Sequence, residues 1–151
     1  MEQLFKLIYF EEEKWLKINF NNSKKVNVEQ LERLYNDVEW YAYTQDLEGL
    51  QQAIEQSLEV ITVWKDEELV GLIRVVGDGL TIIYIQDILV LTSYQNQGIA
   101  TQLVQQVLKK YKNVRQKVLM TEEAPDVRHF YEKNGFQSCD KGSLVAFAKM
   151  N

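Results

Sequence analysis

The stretch Tyr94-Gln95-Asn96-Gln97-Gly98-Ile99-Ala100-Thr101 sets polar side chains and two small residues directly ahead of a helical apolar repeat. A helix N-terminus presents unpaired backbone N–H groups and the positive end of the helix dipole, which together make a cradle for phosphate. Gly98 and Ala100 remove side-chain bulk, so a pyrophosphate can reach those amides without any cationic side chain. The same residues also fit an ordinary polar loop in which Gly98 only permits tight packing, because short glycine patterns arise by chance. Neither G-x-x-x-x-G-K-[ST] nor a G-x-G-x-x-G after the first strand is present, which disfavours P-loop and Rossmann sites.

Composition narrows the remaining chemistry. Seventeen Lys and Arg against 22 Asp and Glu give a net charge of −5, which argues against a nucleic-acid surface. One cysteine, Cys139, excludes an internal disulfide framework and a cysteine zinc cage, and suits a reducing, cytoplasmic compartment. A single histidine, His129, makes a histidine-rich metal site unfavourable, so no metal is expected. The chain of 151 residues, 46% apolar, carries neither a signal-peptide pattern nor a membrane-length apolar run, and no linker or repeat interrupts it. One domain spanning 1–151 is therefore expected.

The elements that must hold the glycine loop are read from periodicity. Residues 4–10 and 15–20 read as extended. Val28, Leu31, Leu34, Tyr35 and Val38 recur at helical spacing, as do Leu47, Leu50, Ala53, Ile54 and Leu58, with Asp46 as N-cap of the second helix. Strands follow at 60–64, 69–76 and 80–91, joined by polar turns of hairpin length. Ile99, Leu103, Val104, Val107, Leu108 and Tyr111 form the stripe of the next helix. A short strand at 118–120, a helix at about 125–134 bracketed by Pro125 and Gly135, and a final strand at 144–150 complete the chain. The strand-helix-strand unit at 80–120 is right-handed, so its two strands should be parallel neighbours. This is an α+β fold, a mostly antiparallel mixed sheet with helices on both faces.

Read from Ile88 to Ala100, the loop resembles the acetyl-CoA motif of the GNAT N-acetyltransferases, whose Gln/Arg-x-x-Gly-x-Gly/Ala core matches Gln95, Gly98 and Ala100. Downstream, Phe130-Tyr131-Glu132-Lys133-Asn134-Gly135-Phe136 resembles the family's second motif. The two motifs cover about 86–112 and 117–136, and with the preceding meander the resemblance extends over roughly 60–150.

That resemblance implies a splayed pair of parallel strands. Acetyl-CoA would lie along the backbone of Ile88, Leu89 and Val90, with its pyrophosphate on Gln95, Asn96, Gln97, Gly98, Ile99, Ala100 and Thr101. A backbone N–H near Leu89 or Val90 would polarise the acetyl carbonyl. It further implies direct attack by a neutral primary amine, with Tyr131 near the sulfur as general acid. Asp87 is the leading candidate for the base, with Glu122 and Glu123 as alternatives. The sequence departs from the ribosomal-protein N-terminal branch, whose glutamate and asparagine align here with Leu119 and Ala124.

The family's acceptor region corresponds here to Trp40, Tyr43, Thr44, Arg74 and Asp78. These residues also resemble, more weakly, the small bacterial and plastid arylalkylamine-type members. Aromatic walls would seat a small amine, although the same rings also fit the packing of the helices onto the sheet. Protein lysine or N-terminal acetylation, and a non-catalytic acyl-CoA-binding module, are alternative expectations. A homodimer is compatible with such a fold.

Overall fold

The computed structural model describes residues 18–151, so the extended segment expected at 4–10 lies outside the described residues. The described residues form two compact units, divided between Leu119 and Met120.

The first unit is a five-stranded sheet in sequential order, β1 (Ile18–Asn21), β2 (Glu59–Lys65), β3 (Glu68–Gly77), β4 (Ile82–Val90) and β5 (Gln116–Leu119). The first three pairings are antiparallel, and β4 with β5 is parallel, as the crossover required. Helices α1 (Val28–Asp37), α2 (Tyr41–Thr44) and α3 (Leu47–Glu55) separate β1 from β2, and α4 (Ile99–Lys110) joins β4 to β5. Asn27 caps α1 by accepting from Glu29 and Gln30 N–H, and Asp46 caps α3 through Gly49 N–H, so both starts are satisfied locally. No helix among the described residues is long and apolar enough to cross a membrane.

Alternation along β3 sorts the two faces of the sheet. Gly71 faces α4, where an added Cβ would meet Ile99 Cγ2 at 3.4 Å. Arg74, three residues on, faces the opposite way with its cross-strand partner Asp87, toward Tyr35 of α1. Leu31, Leu34 and Tyr35 of α1, and Ile99, Leu103 and Val104 of α4, are almost fully buried, so each helix shields one face. The expected helices on both faces are present.

At the far end of β3 and β4, Asp78 organises the hairpin turn. Its carboxylate accepts from the N–H groups of Leu80, Thr81 and Ile82 and from the Thr81 hydroxyl. The Thr81 hydroxyl and then those amides hold its pKa well below the usual carboxylate range.

The second unit contains α5 (Pro125–Lys133) and a 3-10 turn at Cys139–Lys141. Gly135 is left-handed at φ +91°. Its N–H donates to Glu132 O while Phe136 N–H donates to Tyr131 O, the bond pattern that closes a helix on glycine.

One sequence expectation is corrected here. Residues 144–150 form no strand, and Leu144, Val145, Phe147 and Met150 are exposed. A strand is stabilised by pairing, and this unit contains no second strand to receive it. The short strand expected at 118–120 lies instead at Gln116–Leu119, and the long one ends at Val90.

Two stability outcomes follow. Leu34→Ala empties a fully buried position and should lower the unfolding free energy in urea by about 2–5 kcal/mol. A depressed carboxylate pKa stabilises the fold above the unfolded value and ceases to do so as pH falls. Asp78→Ala should therefore lower the thermal midpoint near neutrality, and the gap from wild type should shrink below about pH 4.

Candidate active site

At the start of α4 the chain turns through two left-handed residues, Asn96 at φ +61° and Gly98 at φ +83°. The first intrahelical bond runs from Gln102 N–H to Gly98 O, so the amides of Ile99, Ala100 and Thr101 precede the bonded ladder. No side chain caps them. An added Cβ at Gly98 would meet nothing within 4 Å, so the space before these amides is open and glycine is demanded there by φ. Ile99 contributes its amide alone, since its side chain is core.

The strand leading into this loop has an incomplete edge. Pairing of β4 with β5 stops at Ile85↔Leu119, whereas pairing with β3 continues to Gly71↔Val90. Leu91 N–H donates to Val70 O, so by alternation the groups of Leu89 also turn toward β3. Those of Ile88 and Val90 turn to the edge that β5 has left. Of the three residues expected to present free backbone, Ile88 and Val90 do so and Leu89 does not. Gln95 folds back along this edge, its Nε2 donating to Val90 O at 3.0 Å.

On the face of β4 toward α1 lies a buried polar cluster. Asp87, 1% exposed, accepts from Tyr35 Oη at 2.8 Å, Tyr43 Oη at 2.8 Å and Arg74 Nε at 2.7 Å. Gln86 Nε2 donates in turn to Tyr43 Oη at 3.0 Å. Burial, then the Asp87 charge, raises the pKa of both tyrosines, so both remain neutral donors. Burial is the largest influence on the Arg74 guanidinium and lowers its pKa, but Asp87, Tyr35 and Tyr43 together raise it above its usual value, so it stays charged. Trp40 stacks on Tyr43 with centroids 6.0 Å apart and meets Tyr35 edge-on at 6.2 Å. Trp40 is 37% exposed, so an indole face borders both solvent and the cluster.

The sequence-derived acceptor residues are thus only partly gathered. Trp40, Tyr43 and Arg74 meet around Asp87. Thr44 donates instead to Asn36 Oδ1 at 2.7 Å, and Asp78 is engaged in its own turn. Asp87 is enclosed by three donors, which leaves its carboxylate no solvent-facing side from which to take a proton.

In the second unit, Tyr131 packs edge-on to Phe130 and Phe136, with centroids 5.0 and 5.9 Å away. Burial raises its phenol pKa, partly offset by the Thr121 hydroxyl, so it is protonated and able to donate at neutral pH. Glu123 is held by Arg128 at 2.8 Å, whereas Glu122 and His129 are exposed.

Two contributors escaped sequence reasoning. Tyr35 reads as one more apolar member of a helical stripe, and only its hydroxyl, which needs a partner when buried, hinted at more. Asp37, an acid in the last turn of α1 where the dipole disfavours it, accepts from Thr92 N–H at 2.7 Å and ties that turn to the loop.

Comparison with known proteins places the chain in a family. A family model described as an acetyltransferase (GNAT) domain matches residues 23–148. A Prochlorococcus marinus protein named an uncharacterized N-acetyltransferase, ycf52-like, is 28% identical over 134 residues, covering 85% of this chain and 72% of its own. A Porphyra purpurea relative named an uncharacterized N-acetyltransferase, ycf52, is 25% identical, covering 79% and 70%. The solved structure of a GNAT family acetyltransferase from Streptococcus pneumoniae superposes with a TM-score of 0.79 at 34% identity, covering 89% of this chain and 98% of that one.

Gly98→Ala forces an L side chain into the left-handed region, at a cost of about 1–2 kcal/mol in backbone strain. That cost should appear as a lower urea midpoint of unfolding. Stability should drop by no more than the strain.

Proposed function

The chain belongs to the GNAT acetyltransferase family and is an acetyltransferase, and from that premise we propose that it moves the acetyl group of acetyl-CoA to a small primary amine with an aromatic body. The observation that carries this reading is the open edge of β4 running directly into the uncapped amides of α4. The residues present fit the cofactor. Ile88 and Val90 offer strand-like bonds to an extended amide-bearing arm, and the amides of Ile99, Ala100 and Thr101 offer donors and a positive dipole to a pyrophosphate. When bound, the cofactor supplies an acetyl thioester.

The protein's own groups then do three things. Val90 N–H, on the open edge, would donate to the acetyl oxygen and stabilise the negative charge that grows there during attack. Trp40 and Tyr43 would hold the acceptor so that its neutral nitrogen meets the carbonyl carbon. Tyr131 is assigned as general acid for the thiolate released as the C–S bond breaks, because it occupies the family's motif position and burial keeps its phenol protonated. The proton lost by the nitrogen as the C–N bond forms would pass to water, which would restore the phenol. A cytoplasmic location suits a single unpaired cysteine.

An aromatic acceptor is favoured over a protein tail by the partly exposed Trp40 stacked on Tyr43. Free-thiol release from acetyl-CoA should be fast with phenethylamine and slow with spermidine or a lysine peptide. Equal rates with all three would remove the aromatic pocket, and no amine-dependent release would remove the transferase reading. Tyr131→Phe should lower kcat about 100-fold, the low end of a general-acid contribution, with acetyl-CoA affinity unchanged.

A further inference from the structure

We propose that Asp87 is a positioning residue, and that, held by Tyr35 and Arg74, it fixes the Tyr43 hydroxyl against which the acceptor amine is oriented. This deepens the small-amine reading above and rests on it. Asp87 is the only buried carboxylate on its face of the sheet among the described residues, and three donors converge on it from three different elements. Two of these are held rigidly. Tyr35 is fully buried on α1, and Arg74 lies directly across the β3–β4 ladder.

The third, Tyr43, is half-buried on the short helix α2 and has no covalent reason to sit where it does. It is fixed by its bond to Asp87, by Gln86, and by Trp40 stacking on its ring. A carboxylate that already accepts three hydrogen bonds and is 1% exposed is poorly suited to collect a proton from a substrate. It is well suited to hold three side chains in register, because releasing any donor would leave buried charge unpaired.

Charge supports this assignment. Arg74 balances Asp87 inside the cluster, so the cluster as a whole offers no net attraction to an ammonium ion. Recognition then falls to the indole and phenol faces and to the oriented Tyr43 hydroxyl. The titratable groups facing Asp87 are Tyr35, Tyr43 and Arg74, and none of them changes charge near neutrality.

The test compares Tyr35→Phe and Asp87→Asn with wild type, using phenethylamine as acceptor and thiol release as readout. Tyr35→Phe keeps the ring and removes one buried bond to Asp87. It should raise the KM for phenethylamine about tenfold, with kcat and the KM for acetyl-CoA little changed. Asp87→Asn should raise the amine KM further and keep the shape of the pH profile of kcat/KM. If Asp87→Asn does not fold, Tyr35→Phe and Tyr43→Phe carry the test, with the same shift in amine KM expected of each. Loss of the acidic limb in Asp87→Asn, or an unchanged amine KM in Tyr35→Phe, would overturn the proposal alone. Wild-type protein that releases no thiol with any amine would overturn the transferase reading and this inference with it.

Discussion

The site depends on the unequal pairing of the two edges of β4. Against β3 the strand is bonded to its end at Val90, and against β5 only to Ile85. A strand left half-bonded in the interior of a sheet exposes polar backbone, which is costly unless water or a ligand satisfies it. The edge is open because β5 ends opposite Ile85, and a 3-10 turn at Thr92–Tyr94 and left-handed residues at Asn96 and Gly98 then lead to the uncapped start of α4. An extended, amide-bearing molecule ending in a pyrophosphate would suit donors of these two kinds.

The opposite side of β4 solves a different electrostatic problem. A carboxylate removed from water is expensive, and Asp87 is tolerated because an arginine and two phenols compensate it. That compensation carries structural information, since it draws α1, α2 and β3 to one point. The backbone on the edge of β4 and the side chains on its face are thus set by a single rigid strand. On the proposed reading, a net charge of −5 is no obstacle to a phosphate-rich cofactor. Backbone amides supply the positive potential locally, and the acidic surface need not be overcome by lysines.

What was legible in the sequence was local. Gly98 ahead of an apolar helical stripe, and Pro125 and Gly135 bracketing another, are signals carried by neighbouring residues, and each element formed where its caps said it would. The Phe130–Phe136 motif also has a local cause, because Phe136 N–H closes the helix on Tyr131 O while the two rings meet edge-on. What was not legible depended on distant pairing. Tyr35 and Asp87 are 52 positions apart, and the Arg74–Asp87 alignment depends on an irregularity at Arg74/Val75 that no periodicity reveals. Asp78, a candidate for the acceptor region, also depended on unseen geometry, since its place in a tight turn engages its oxygens with backbone amides. Residues 144–150 had the composition of a strand without a strand beside them.

The claim that unmet backbone donors of β4 and α4 hold the cofactor is tested most directly by residue-resolved amide hydrogen exchange with and without saturating coenzyme A. Exchange should slow at Ile88, Val90, Ile99, Ala100 and Thr101, while Leu89, already turned toward β3, should change little. Unaltered exchange at these amides under saturation, with protection appearing elsewhere in the sheet, would contradict it.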